Sequence, residues 1–224
     1  MIFLMRKEVF ANGEFYHILN RGVDKREIFS DNLDSKRFFQ GMIEFNVIQP
    51  IGSIYENSFL RNKNKKTDTQ KLVNLICYCI NPNHYHFLLE QANDFGLEKF
   101  MHRLGVGYTK YFNNKYKRTG SLFQGNFKAV HVDSNEYLLH LSAYINLNHK
   151  VHHIELGNLV SKLGVPKTSL GEYMGENSEN FCKKEIILNQ FKTFKEYEKF
   201  AYSSLKDIVK RRAEDSVLDT LFTE

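Results

Sequence analysis

Apolar and polar positions alternate along EFYHILNR (residues 14–21), which predicts a first strand, and Gly22 to Asp31 reads as a turn region. From Ser35 to Ile48 the period lengthens. Phe38, Phe39, Met42, Ile43 and Phe45 recur at helical spacing, and the pattern stops before Pro50. Residues 61–71, RNKNKKTDTQK, are polar and basic and predict a loop, the most mobile part of the chain. Leu72 to Ile80 is an apolar strand, Asn81-Pro82-Asn83 carries turn chemistry, and His84 to Gln91 returns as a second strand. Leu97 to Lys117 predicts a long helix, with Gly105 and Gly107 as points of interruption. A glycine-punctuated segment, Gly120 to Asn126, leads into a short strand, Phe127 to Val132. Asp133 or Ser134 then caps a helix that runs to Leu147 or Asn148.

The order is strand, helix, strand, strand, helix, strand, helix. Its first six elements predict an α+β fold of the ferredoxin-like, split βαβ kind, an antiparallel sheet with helices on one face. Beyond residue 150 the pattern weakens to a loop through Pro166 and helices at about 182–191 and 194–212. The organisation expected is a catalytic-sized domain over 1–150 and a small C-terminal helical appendage over 151–224. At 224 residues, 42% hydrophobic and 25% charged, the chain reads as folded and globular. Its longest uncharged stretch, Leu72 to Leu89, contains three asparagines and two histidines, which argues against a membrane span. Arg6 arrives too early for a signal peptide, and three irregularly spaced cysteines suit a reducing compartment. A cytoplasmic protein is expected.

Charge gives this picture a direction. Residues 1–150 hold all of the positive excess. Within them, 99–132 carries seven basic side chains, seven aromatic ones and no acidic one. Cations attract phosphate, and aromatic faces stack on unpaired bases, so nucleic acid becomes the favoured partner. A solvated basic helix whose aromatics are core would show the same composition.

His84-Tyr85-His86 is the sharpest local feature. On a strand both imidazoles project to one face while Tyr85, Phe87 and Leu89 take the other. Such a pair begins a metal site or an acid–base pair, or is simply polar surface. A rival use joins it to Cys77 and Cys79: a two-residue turn at Asn81-Pro82 would set Cys79 opposite His84 and Cys77 opposite His86. Four ligands on a flat sheet face make a poor tetrahedral zinc cage. On the last helix His140, Tyr144 and Asn148 recur every four residues and share a face. A phenolate can attack a phosphodiester, and an amide oxygen one turn away can complete a cation's coordination. With 12 tyrosines in the chain, spacing alone does not select Tyr144.

These pieces together resemble the single-tyrosine HUH transposases of small insertion sequences, most closely their REP-associated tyrosine transposase relatives. The matching segments lie in order along residues 14–148: FYHILNRGVDKREIF, YCINPNHYHFLL, YTKYFNNKYKRTGSLFQGNFKAVHVD and EYLLHLSAYINLN. The resemblance implies a DNA strand transferase that cuts and rejoins single-stranded, hairpin-flanked DNA through a 5′-phosphotyrosine. It implies Tyr144 as nucleophile, and His84, His86 and Asn148 as ligands of a divalent cation, Mg²⁺ or Mn²⁺. Asn148 stands where better-studied relatives carry Gln. Tyr85 stands where the motif has a bulky apolar residue, and its hydroxyl then needs a partner.

Arg21 matches a conspicuous family arginine and is a candidate phosphate contact. Lys110, Lys117, Arg118 and Lys128 are further DNA-binding candidates from the acid-free stretch. Gly120 and Gly125 would admit DNA close to the backbone or merely shape a turn. No nucleotide cofactor is expected, since no Walker-type phosphate loop occurs. A monomer or a homodimer fits. Three other readings use similar features: a domesticated hairpin-DNA-binding protein, a relaxase or replication-initiator nickase, and a non-catalytic RNA-binding module.

Overall fold

The structure, a computed structural model, describes residues 9–61, 70–151, 168–175 and 181–221. Most of the basic loop expected at 61–71, and the loop through Pro166, lie outside the described residues. Four strands, β1 (Phe15–Arg21), β2 (Val73–Asn81), β3 (His84–Gln91) and β4 (Lys128–Val132), form one sheet in the order β2-β3-β1-β4. Every neighbouring pair is antiparallel. Helix α1 (Asn32–Glu44) connects β1 towards β2, with α2 (Ile54–Arg61) following it, and α3 (Gly96–Lys115) connects β3 to β4. This is the split βαβ arrangement that the pattern predicts.

Strand alternation decides what each face does. Tyr16 and Ile18 of β1, and Tyr85, Phe87 and Leu89 of β3, turn towards α1 and α3 and pack with Phe38, Met42, Leu97, Phe100, Leu104 and Tyr108. Each such side chain removed from water contributes about 1.5–3 kcal/mol. Helix α1 starts ahead of the periodic residues, because Asp31 and Asp34 form a reciprocal capping box. Helix α3 runs without a break through Gly105 and Gly107. At Gly107 a Cβ would sit 2.7 Å from the Phe45 ring, so this glycine marks the close approach of α3 to the end of α1 rather than an interruption.

The opposite face of the sheet is covered as well. Helix α4 (Asn135–Asn146), capped by the Ser134 side chain as expected, lays Leu138, Leu141 and Ile145 over Cys77, Cys79 and Leu88. Beyond it come α5 (Asn148–Val151), α6 (Leu170–Tyr173), α7 (Glu185–Leu188) and α8 (Phe194–Leu221). Tyr173, Ile187 and Tyr197 from these helices join the same core as α4. Among the described residues no helix is long and apolar enough to cross a membrane.

Strand β2 carries a bulge. Between Leu75 and Cys77 its register against β3 shifts by one residue, so Val73 and Leu75 face α1 and α3 while Cys77 and Cys79 face α4. The tight turn falls at Pro82-Asn83, which sets Asn81 opposite His84, Cys79 opposite His86 and Cys77 opposite Leu88. The register expected from a turn at Asn81-Pro82 is therefore off by two residues. Among the described residues no three His, Cys, Asp or Glu side chains are grouped to hold a metal, so the two-Cys, two-His zinc set does not form.

Candidate active site

The site lies at one end of the face covered by α4. Strand β3 presents His84 and His86 there, with ring centroids 5.1 Å apart. Strand β1 runs alongside and sets Arg21 opposite His84 and Leu19 opposite His86. Past β1 the chain stays close to segment 122–124: Val23 N–H donates to Leu122 O, and Gln124 N–H to Arg21 O. The Arg21 guanidinium in turn donates to Gln124 Oε1 at 3.2 Å. Gly125 has φ +73°, which favours glycine, with open space where a Cβ would be.

Tyr144 on α4 reaches the pair. Its ring centroid lies 5.6 Å from that of His86 and 6.3 Å from that of His17. A cleft of about 430 Å³ is lined by Arg21, His84, His86, Gln124, Lys128 and Tyr144, among others. A second hollow, of about 520 Å³, lies against Tyr144 and includes His17, Glu136, His140, Ser204 and Asp207 in its lining. Of the basic candidates, Arg21 and Lys128 line the first cleft; Lys110, Lys117 and Arg118 do not. Arg118 instead donates to Asn113 Oδ1 at 2.9 Å and lies over the Phe112 ring.

A chain of hydrogen bonds fixes the protonation of His84. Asn83 Nδ2 donates to the Lys25 carbonyl at 3.1 Å, which leaves Asn83 Oδ1 facing His84 Nδ1 at 2.6 Å. An amide oxygen only accepts, so Nδ1 carries the proton and Nε2 holds the lone pair. That lone pair meets Asn81 Nδ2 at 2.8 Å, and the same Nδ2 donates to Asn148 Oδ1 at 2.7 Å. Asn81 and Asn148 are both fully buried. Asn148 Nδ2 is buried with no hydrogen bond among the described residues.

Asn148 is not on α4. The helix ends at Asn146, Leu147 takes φ −106° and ψ 8°, and Asn148 opens α5. The single helix face expected for Tyr144 and Asn148 is thus divided between two elements. His140, on the same α4 face, turns away from the strand histidines and meets Ser204 Oγ at 3.0 Å. Tyr85, whose hydroxyl needs a partner in the core, stands opposite Asn20 of β1, whose side chain offsets part of the rise that burial gives the Tyr85 pKa.

His17 is a site residue that sequence reasoning passed over. Its Nε2 lies 2.9 Å from His86 Nδ1, and burial lowers its pKa to about 4, so it is neutral at physiological pH. The signal was present in EFYHILNR: alternation puts His17 and Arg21 on one face, away from Tyr16 and Ile18. Asn81 gave no such signal, since it read as part of a turn.

His84 Nε2 and the buried Asn148 Oδ1 are held close by their shared donor, Asn81, and the His86 ring lies beside that of His84; these are donors that a divalent cation can take up.

A family model described as IS200-like transposase matches residues 14–148. No curated protein matches the chain. Among solved structures, a REP-associated tyrosine transposase bound to a REP hairpin aligns at 9% identity over 77% of this chain and 86% of that one, with a TM-score of 0.49. A tRNA(His) guanylyltransferase from Saccharomyces cerevisiae aligns at 12% identity over 84% of this chain and 81% of that one, with a TM-score of 0.33.

Proposed function

The chain belongs to the IS200-like transposase family, and on that premise we propose that it cleaves and rejoins single-stranded, hairpin-flanked DNA through a covalent link to Tyr144. The observation that carries this reading is the position of Tyr144, whose ring stands 5.6 Å from that of His86 in a cleft shared with His84, Arg21 and Lys128. Arg21 and Lys128 supply positive charge for the phosphates that flank the scissile bond. His84, His86 and Asn148 would hold a divalent cation, Mg²⁺ or Mn²⁺, whose chemistry there is to draw charge from a non-bridging oxygen of the scissile phosphate.

Tyr144 Oη attacks phosphorus in line as its proton passes to solvent. The bond from phosphorus to the 3′-oxygen breaks, leaving a 5′-phosphotyrosine and a 3′-hydroxyl that takes up a proton. Attack of a 3′-hydroxyl on such a link reverses the step and rejoins a strand, with no nucleotide consumed. His17 orients His86 for its part, since one of the two facing nitrogens donates and the other accepts. Residues 1–150 carry this chemistry, and the described helices beyond them, through Tyr173, Ile187 and Tyr197, back the tyrosine helix.

The test is a covalent-adduct assay with end-labelled single strands from the DNA flanking the gene, in Mn²⁺ or EDTA. A metal-dependent adduct that disappears in Tyr144→Phe is the expected result. An adduct that survives the substitution moves the nucleophile elsewhere. Tight binding without any adduct makes the protein a hairpin-DNA binder instead.

A further inference from the structure

Asn81 occupies an unusual place for a strand-end residue. Its one NH₂ group donates to His84 Nε2 at 2.8 Å and to Asn148 Oδ1 at 2.7 Å. Those two atoms are donors that the proposed cation would need, and the inference below rests on that reading of His84 and Asn148. A cation bound to both takes the one lone pair of His84 Nε2 that Asn81 now holds, and at Asn148 Oδ1, whose second lone pair it uses, it crowds the same NH₂ group. It also meets the positive end of an N–H dipole, which repels it. Asn81 cannot keep its present orientation once the cation is in place, and at zero exposure no water replaces its lost partners.

An amide has a second orientation of nearly the same shape. A half-turn about Cβ–Cγ exchanges Nδ2 for Oδ1. Oδ1 now lies 3.7 Å from Cys79 Sγ. A thiol both donates and accepts weakly, so it tolerates the exchange at small cost. The neighbouring amide supports the same reading. Asn148 turns its oxygen to Asn81 although this leaves its own Nδ2 buried without a hydrogen bond among the described residues. The orientation at 148 is thus dictated by a donor at 81 rather than by the comfort of Asn148 itself.

We propose that Asn81 is a reversible amide at the cation site: its N–H groups hold His84 and Asn148 together in the cation-free protein, and its Oδ1 becomes a further cation donor when the amide turns over. Two imidazoles bind soft and borderline ions readily. A second amide oxygen shifts the set towards the hard, oxygen-seeking cations.

Calorimetric titration of the whole protein with Mn²⁺ tests this without reference to activity. Asn81→Leu is expected to weaken Mn²⁺ binding by about 10–100-fold. Asn81→Asp, which puts a charged oxygen in the same place, is expected to tighten it by about tenfold or more. The Asp variant should also melt lower than wild type without cation and gain more from Mn²⁺. Mn²⁺ affinity of Asn81→Leu within about threefold of wild type, or higher, overturns the proposal, because the amide is then only a strut or a competitor. Should Asn81→Leu fail to fold, Asn81→Asp decides alone, and an affinity unchanged or weakened in it overturns the proposal. His84→Ala separates the two levels. If it abolishes Mn²⁺ binding while the Asn81 variants do not respond as expected, only the role of Asn81 falls. If it leaves binding intact, the ligand reading falls and takes the role of Asn81 with it.

Discussion

Arg21 and Lys128 share a cleft with the two strand histidines, whereas Lys110 stands on α3 outside it. Binding of single-stranded DNA is therefore expected to lose about one unit of salt slope on Lys128→Ala and to weaken at low salt, with a smaller change for Lys110→Ala. Fluorescence anisotropy across a salt series measures both. The composition of 99–132 could not make this distinction, because a count of cations says nothing of which helix face they occupy. That His84, His86 and Tyr144 would come together was legible, because strand alternation and an ordered set of motifs mark them. Alternation also gives the face of His17, but its contact with His86, like that of Asn81 with Asn148, was not legible, since the partners lie 69 and 67 residues apart in the chain. Such pairings exist only after the sheet has formed.

Between elements, a cluster of polar contacts ties the start of α1 to the end of α3. Lys115 Nζ lies 2.6 Å from Asp31 Oδ2 and 2.7 Å from Asp34 Oδ1, and the Tyr116 hydroxyl donates to Asp34 Oδ2 at 2.8 Å. Asp34 is fully buried and also accepts from Ser30 N–H. Lys115→Met leaves that carboxylate without its cation but with its other donors, at a cost of about 2–3 kcal/mol in urea unfolding. Partial burial alone would raise the Asp31 carboxyl, but the hydrogen bond and charge of Lys115, with the Asp34 and Leu33 N–H groups, hold it below its ordinary 3.8. A depressed carboxyl stabilises the fold above its unfolded value and ceases to do so as pH falls through the folded one. The melting temperature of wild type should accordingly exceed that of Asp31→Asn at pH 6, and the two should converge only as pH falls past 3.8 and through the lower folded value. Helix positions were readable from apolar spacing, but their ends were not: α1 begins at its capping box, and α4 stops short of Asn148. Caps and breaks depend on single side chains and backbone angles that periodicity averages away.

At the scale of the whole molecule, the C-terminal helices are structurally continuous with the tyrosine helix. Tyr197 of α8 is fully buried; its hydroxyl accepts from Asn146 Nδ2 at 2.8 Å and lies 3.3 Å from Ser142 Oγ. Tyr197→Ala is expected to lower stability by about 3–5 kcal/mol. Tyr197→Phe, which removes only the hydroxyl, should cost about 1–2 kcal/mol. Denaturant unfolding of the two variants separates packing from hydrogen bonding. The sequence beyond 150 read as an appendage because its apolar spacing is weak, and its partner surface, the back of α4, is invisible without the sheet beneath. Strand β2 spends nine residues, Val73 to Asn81, along the eight of β3 from His84 to Gln91. It therefore carries one residue beyond the paired ladder, Ile76, and loss of that residue would bring the two strands into step with Asn81 still opposite His84, at the cost of its buried side chain and of the carbonyl that accepts from the Tyr173 hydroxyl. Loss of a second residue has no slack to draw on and would pull Asn81 off the end of the ladder, so the tolerance of this strand to shortening stops at one.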